Sequence, residues 1–190
     1  ISVSSRASDR LEALGLKVVA LEPKNQADVR RVLGTLSDLL GVPRAQGSDR
    51  LWREIDAGVQ AAAQSLPPYV HGKRVYFEVS RGPYAASESS FIGEILARLG
   101  VRNVVPASLG PFPRLNPEFV VRARPDVMFM ANRAMQTMVM YPGWAELAAV
   151  RGGHVCSFGP QEADVIGRPG PRMAETARLI AQCLADKSPR

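Results

Sequence analysis

Two aromatic residues lie in short segments of this sequence that proline makes stiff. Tyr84 lies in "SRGPYAASESS", between a predicted strand and a predicted helix, and Phe112 lies in "GPFPRL". An aromatic ring offers a broad, rigid contact face, and a rigid group loses little entropy on binding. Both rings are therefore candidates for non-covalent contact with a flat ligand. The alternatives are a tyrosine packed on its own domain and a phenylalanine stapled onto the following helix.

Residues that carry covalent or metal chemistry are sparse. The two histidines, His71 and His154, are far apart, and there is no CxxC or HExxH motif, which argues against a zinc site. The sequence also lacks G-x-G-x-x-G, G-x-x-x-x-G-K-[ST] and G-x-S-x-G. We therefore expect a protein that is not an enzyme and holds no cofactor or metal. A small α/β enzyme is the weaker alternative.

The charge distribution bears on nucleic-acid binding, and the two cysteines bear on the redox compartment. The formal net charge is +6, but the basic residues are spread among acidic ones, and the few aromatic residues do not interleave with basic clusters. This pattern predicts a solvated surface rather than a nucleic-acid site. Cys156 and Cys183 are interpreted as two small buried thiols, with a bridge in an oxidising compartment as the alternative.

Glu118 follows a recognisable helix start. Asn116 is a good cap, Pro117 suits the first helical position, and a carboxylate there stabilises a helix by about 0.3–1 kcal/mol. The helix is predicted to end near Arg124, and the "DVMFM" that follows Pro125 is predicted to be a strand buried on both faces.

Strand and helix patterns alternate along the chain, which favours parallel strands. At the start, "ISVSS" is predicted to end a strand, "SDRLEAL" to form a helix ended by Gly15, and "LKVVAL" to form a strand before a helix capped by Asn25. Ser48 then opens a long helix to about Leu66. The later strands are predicted at "RVYFEV", "NVV", "DVMFM" and "HVCSF", the helices at about 88–99, 117–124, 143–150 and 171–185, and a long polar connection at "SFGPQEADVIGRPGPR".

The order of these elements resembles one family. The segments "RVYFEVSRGPYAASESSFIGEILARLG", "PFPRLNPEFVVRARPDVMFM" and "YPGWAELAAVRGGHVCSF" are similar to the periplasmic substrate-binding proteins of cobalamin, ferric-siderophore and haem ABC importers. The resemblance implies an α/β, two-lobed binding-protein fold, with parallel-sheet lobes joined by one long helix. It assigns residues 1–42 to an incomplete N-terminal lobe, 43–70 to the interlobe linker and 71–190 to the C-terminal lobe.

The resemblance also implies a function and its residues. We expect a periplasmic receptor, its signal peptide not present in this chain, that binds a corrinoid between the lobes and docks on an ABC permease. A ferric siderophore or haem is the alternative ligand, and no nucleic acid is expected. Glu118 is expected to pair with arginines of the permease. The expected ligand-binding residues are Tyr84, Phe112, Asn132, Gln161, Glu162 and Asp164.

Overall fold

A mainly parallel sheet organises the second half of the chain. The computed structural model describes residues 4–19, 21–130 and 141–190. Strand β1 pairs in parallel with β3 at one edge and with β4 at the other, and β4 pairs in parallel with β5. The short β2 pairs with the end of β1 in the antiparallel direction. The strands are β1 (Arg74–Ser80), β2 (Tyr84–Ala85), β3 (Arg102–Asn103), β4 (Val127–Met130) and β5 (Val155–Ser157).

The central strands are apolar on both faces because helices cover both faces of a parallel sheet. Phe77 stacks on Phe129 in the cluster on one face, with ring centroids 5.1 Å apart. On the other face Tyr76 meets Trp144 edge to face at 5.6 Å. The predicted buried strand at "DVMFM" is therefore confirmed.

Helices surround the sheet, and those that follow residue 25 each contribute buried residues to one of the two clusters. Helices α2, α3, α4, α7 and α8 contribute to the cluster that contains Phe77, and α5 and α6 to the cluster that contains Tyr76. No helix among the described residues is long and apolar enough to cross a bilayer. The helices are α1 (Ser4–Ala13), α2 (Gln26–Leu39), α3 (Ser48–Gln64), α4 (Phe91–Arg98), α5 (Pro117–Ala123), α6 (Ala148–Arg151), α7 (Pro160–Gly167) and α8 (Met173–Lys187).

The long helix α3 is held on two sides. Its buried residues Ile55 and Val59 belong to the cluster that contains Phe77, and the helix packs against α8 and α2. The segment before α2 is tied to the start of α4: Phe91 donates its N–H to the Lys24 carbonyl at 2.8 Å, and the Gln26 N–H donates to the Glu94 carboxylate at 2.6 Å. These bonds dock the start of α2 on α4, and Val29 and Leu33 of α2 join the cluster that contains Phe77.

Side-chain caps fix where several helices begin. The Asn25 side chain accepts a hydrogen bond from the Asp28 N–H at 2.8 Å, as predicted for the start of α2. The Asn116 side chain does the same for the Glu118 N–H at 3.0 Å. Helix α4 is capped by Ser90, whose side chain accepts a hydrogen bond from the Gly93 N–H at 3.0 Å.

The predicted strands near the N-terminus are wrong where the structure describes them. Ser4 and Ser5 belong to helix α1, while residues 1–3 lie outside the described part. Residues 16–19 form no strand, and Leu16 and Val19 are 54% and 65% exposed. An apolar alternating run becomes a strand only if a neighbour pairs with its backbone, and no described strand pairs with this segment.

The predicted polar connection after β5 contains a helix instead. Pro160 occupies the first turn of α7, and the Glu162 carboxylate accepts a hydrogen bond from the Gly159 N–H at 2.9 Å. Val165 and Ile166 are buried, so the helix has an apolar side despite its polar sequence. The two apolar residues were too few for the pattern to be recognised.

Cys156 and Cys183 form a disulfide, so the expectation of two separate thiols is wrong. The bridge joins β5 to α8 across a sequence separation of 27, with Cα atoms 6.0 Å apart. Sequence could not supply this geometry because the two elements meet only through the fold.

We predict that reducing this disulfide lowers the free energy of unfolding by about 3–4 kcal/mol, because the bridge limits the unfolded chain. Urea unfolding with and without dithiothreitol measures the difference. The Cys156→Ala/Cys183→Ala variant is the control, since reductant should leave its unfolding midpoint unchanged. Equal midpoints for the native protein in both conditions would contradict the prediction.

Candidate functional site

The carboxyl ends of the parallel strands meet at one edge of the sheet. Segments 81–90, 104–116 and 158–160 follow β1, β3 and β5 and therefore lie at this edge. Loops at this edge of α/β sheets form the ligand crevice. The residues predicted to bind a ligand follow these strands. Asn132 follows β4, but it lies outside the described residues.

Two of these segments are joined by their backbones. Residues 81–87 and 110–116, which we call the paired loops, run beside each other and form a bridge between Tyr84 and Arg114. The structure thus brings the two predicted aromatic segments into one unit. Three hydrogen bonds of 3.0 Å join the N–H groups of Ala85, Ser87 and Leu115 to the carbonyl oxygens of Pro113, Pro111 and Pro83.

The two aromatic side chains are exposed to different degrees. Tyr84 is 40% exposed and lies in strand β2, where we expected only a loop. Phe112 is half-buried, and its ring meets that of Phe91 edge to face at 6.0 Å. Phe91 belongs to α4, which precedes Phe112, so this contact is not a staple onto α5. Tyr84 therefore offers more free ring surface than Phe112 does.

Gly82 holds several side chains of this edge together. Its N–H donates to the Tyr141 hydroxyl at 3.0 Å, and its carbonyl accepts from the Arg114 Nε at 2.7 Å. Its φ of +125° suits glycine, and a Cβ there would lie 3.0 Å from the Tyr84 ring. Arg114 and Tyr141 were not predicted as site residues, because no sequence spacing relates them to Gly82.

A buried carboxyl group lies beneath the paired loops. Glu78 is 7% exposed on β1, and the Tyr76 hydroxyl donates to its carboxylate at 3.4 Å. Burial raises the pKa of Glu78 to about 7, while the Tyr76 hydrogen bond and the nearby Arg81 act in the opposite direction. Burial also raises the pKa of Tyr76. Glu78 was not predicted as a site residue, although it is the one acidic residue in "RVYFEVS".

Helix α7 carries three of the predicted binding residues. Gln161 is exposed at its start, and Glu162 is exposed but bonded to the Gly159 N–H. Asp164 pairs with Arg168 at 2.7 Å and Arg172 at 3.4 Å. Of the three, Gln161 is the side chain for which no protein contact is shown among the described residues.

Two cavities border the sheet. One of about 250 Å³ lies between α4 and α7, and Asp164 lines it with Val79 and Ile92. The other, of about 450 Å³, lies beside α4 and β3 and is lined by Arg74, Glu88 and other residues, none of them predicted for the site. In the described part of the chain, no group of three or more His, Cys, Asp or Glu residues could hold a metal ion.

Glu118 lies in the first turn of α5, and Trp144 contacts the start of this helix. Glu118 is exposed in the first helical turn. Trp144 is fully buried and donates its Nε1–H to the Pro117 carbonyl at 3.2 Å, so it is a structural anchor for the start of α5.

Comparisons with known proteins agree on one family. A family model described as "Periplasmic binding protein" matches residues 3–162. The vitamin B12-binding protein of Vibrio vulnificus (strain CMCP6) is 26% identical over 167 residues, which are 86% of this chain and 59% of that protein. The chain thus spans about three fifths of the length of this curated relative.

Solved structures show the same fold. A possible iron-binding (periplasmic solute-binding) protein from Staphylococcus epidermidis superposes with a TM-score of 0.75 at 19% identity, over 94% of this chain and 70% of that one. A periplasmic haem-binding protein from Roseiflexus sp. RS-1 superposes with a TM-score of 0.67 at 21% identity, over 97% and 72% of the two chains.

We predict that Glu78→Gln stabilises the protein as the pH rises. Because the folded-state pKa of Glu78 is raised, the carboxyl group ionises in the unfolded chain from about pH 4.5 but stays protonated in the folded protein until about pH 7, so the native protein loses stability over this range. The variant should avoid that loss, which after solvent screening is on the order of 2 kcal/mol above pH 7. Urea unfolding across this pH range measures it. Glu146→Gln, at an exposed site, is the control, and a Glu78→Gln curve parallel to the native one would refute the prediction.

Proposed function

The chain belongs to the periplasmic binding protein family, and we propose that it is an extracytoplasmic solute receptor of an ABC importer. Its fold is the α/β fold of the two-lobed periplasmic binding proteins, of which it covers a part. Such a receptor binds its solute without chemical turnover and passes it to a membrane permease. We accordingly propose no enzymatic activity.

The observation that carries this proposal is the pairing of the two loops at the carboxyl edge of the sheet. It places Tyr84 and Phe112 on one continuous unit, with Tyr84 substantially exposed. Because the unit is fixed by backbone hydrogen bonds, its rings are pre-organised for a flat ligand. In this account the paired loops form one side of the ligand crevice.

The proposed ligand is a metal chelate, for which two classes are candidates. A corrinoid is favoured by the curated relative, which is named as a vitamin B12-binding protein. A ferric siderophore or haem is favoured by a specific feature of the site, the guanidinium of Arg114 beside Tyr84, since a cation suits a ligand with acidic groups.

We propose that the remaining predicted residues contribute polar contacts. Gln161 has an exposed amide at the same edge of the sheet, whereas Glu162 and Asp164 already accept hydrogen bonds from Gly159 and from arginines. The contributions of Glu162 and Asp164 would therefore require these bonds to be shared or exchanged. Asn132 is proposed to contribute a polar contact on the basis of the sequence alone.

We also propose the division into residues 1–42, 43–70 and 71–190 and a periplasmic location. Helix α3 lies between residues 1–42 and 71–190 in the sequence and contacts both α2 and α8. The disulfide between Cys156 and Cys183 suits an oxidising compartment such as the periplasm.

We predict that one of hydroxocobalamin, haemin and a ferric siderophore shifts its visible band saturably when titrated with this protein. Tyr84→Ala should weaken that binding by about 1 kcal/mol or more and the double variant with Phe112→Ala by more, because ring contact area is lost. Tyr69→Ala is the matched control, since Tyr69 donates to the Ala185 carbonyl away from the crevice. Absence of a shift with every chelate would refute the receptor assignment, and unchanged affinity in folded variants would make the rings structural.

We predict that Glu118→Ala leaves ligand affinity unchanged and weakens docking on the permease, because an exposed carboxylate chiefly guides association. Binding to the permease in nanodiscs measures docking. Glu175→Ala is the matched control, since Glu175 occupies the first turn of α8 as Glu118 occupies the first turn of α5. Reduced ligand affinity with normal docking would contradict the assignment.

A further inference from the structure

Arg114 is positioned before any ligand arrives. Its Nε donates to the Gly82 carbonyl at 2.7 Å, and the side chain is exposed. Among the described residues this is the one hydrogen bond of the Arg114 side chain, and it leaves the two terminal amino groups of the guanidinium for another partner. A guanidinium held in this way loses less entropy when it binds than a free one.

Tyr84 lies next to this guanidinium. A Cβ added to Gly82 would be 3.0 Å from the Tyr84 ring and 4.0 Å from the Arg114 Nε, so the ring and the guanidinium flank the same glycine. The ring is 40% exposed. A flat ligand body on the tyrosine would therefore bring its edge groups within reach of Arg114.

The charges around this pair favour an anion. The paired loops, residues 81–87 and 110–116, contain two arginines, Arg81 and Arg114, and no acidic residue. Of the nearest carboxylates, Glu78 is buried and interacts with Arg81, and Glu88 accepts a hydrogen bond from the Ala107 N–H. Glu118 is exposed in the first turn of α5, which begins directly after the paired loops.

From this geometry we infer that Arg114 and Tyr84 form a subsite for a carboxylate carried at the edge of a flat metal chelate. The inference rests on the proposed function and decides between its two candidate ligands. A guanidinium binds a carboxylate through two parallel hydrogen bonds, which a neutral amide cannot reproduce. A haem propionate and the carboxylate of a ferric citrate chelate share this chemistry.

The test compares chelates that differ in the carboxylate. Haemin and haemin dimethyl ester are titrated into the full chain in the same buffer, and ferric citrate is compared with ferrichrome, which lacks carboxylates. We expect haemin, ferric citrate or both to bind at least tenfold more tightly than their carboxylate-free counterparts. The arm that shows the preference identifies the source of the carboxylate.

Variants locate the preference. Arg114→Gln should weaken binding of the carboxylate ligand about tenfold, the factor that 1.4 kcal/mol represents, and leave the counterpart unchanged. Arg114→Lys keeps the positive charge but loses the two parallel donors, so its affinity for the carboxylate ligand should lie between those of the native protein and Arg114→Gln. Arg102→Gln is the matched control because Arg102 is exposed at the opposite, amino-terminal end of the strands. Thermal unfolding checks that each variant is folded.

Two failures are distinguishable. If hydroxocobalamin binds, or if haemin and its ester bind equally and folded Arg114→Gln matches the native protein, the carboxylate subsite is wrong while the receptor function stands. If none of these chelates binds, the proposed function fails and the subsite fails with it.

Discussion

The candidate site depends on hydrogen bonds between two backbone segments that are distant in the sequence. Residues 83–87 follow β1, residues 111–115 follow β3, and the two pair because their parallel strands end at the same edge of the sheet. The pairing also separates the side chains into two sets. Ala85 and Leu115 enter the cluster around Tyr76, while Phe112 packs against the cluster around Phe77. The loops are thus anchored on both faces of the sheet, and Tyr84 and Arg114 remain exposed.

Electrostatics at this edge follow from the same arrangement. The backbone of Gly82 orients Arg114 and Tyr141, and burial of Glu78 favours its neutral form. The cationic side chains of this edge are therefore exposed to solvent, whereas the carboxyl group of Glu78 is buried. The proposed carboxylate ligand suits such a distribution, because exposed cations raise the local concentration of anions.

Much of the C-terminal part was predictable because its signals are local. Continuous apolar runs identified the strands, and Asn116 with Pro117 identified the start of α5. The resemblance to a family supplied the fold class, which the family match confirms. The strand expected at residues 16–21 was wrong because strand formation depends on a pairing partner that a sequence window does not contain.

The parts of the site that the sequence missed depend on tertiary contacts. Arg114, Tyr141 and Glu78 gain their roles from Gly82 and from burial, and none of them lies in a motif with fixed spacing. The same holds for the disulfide, whose two cysteines belong to a strand and a helix that meet only in the fold. Tyr84 and Phe112 could be identified because proline marks their segments. That their two loops pair and bring the rings onto one unit could not be predicted.

Amide hydrogen exchange tests the pairing of the loops most directly. If the paired loops are a fixed part of the fold, the amides of Ala85, Ser87 and Leu115 should be protected to the same order as those of strand β1. Exchange of these three amides as fast as that of segment 17–19, which belongs to no helix or strand, would contradict the account, because the aromatic and cationic groups would then have no fixed surface to share.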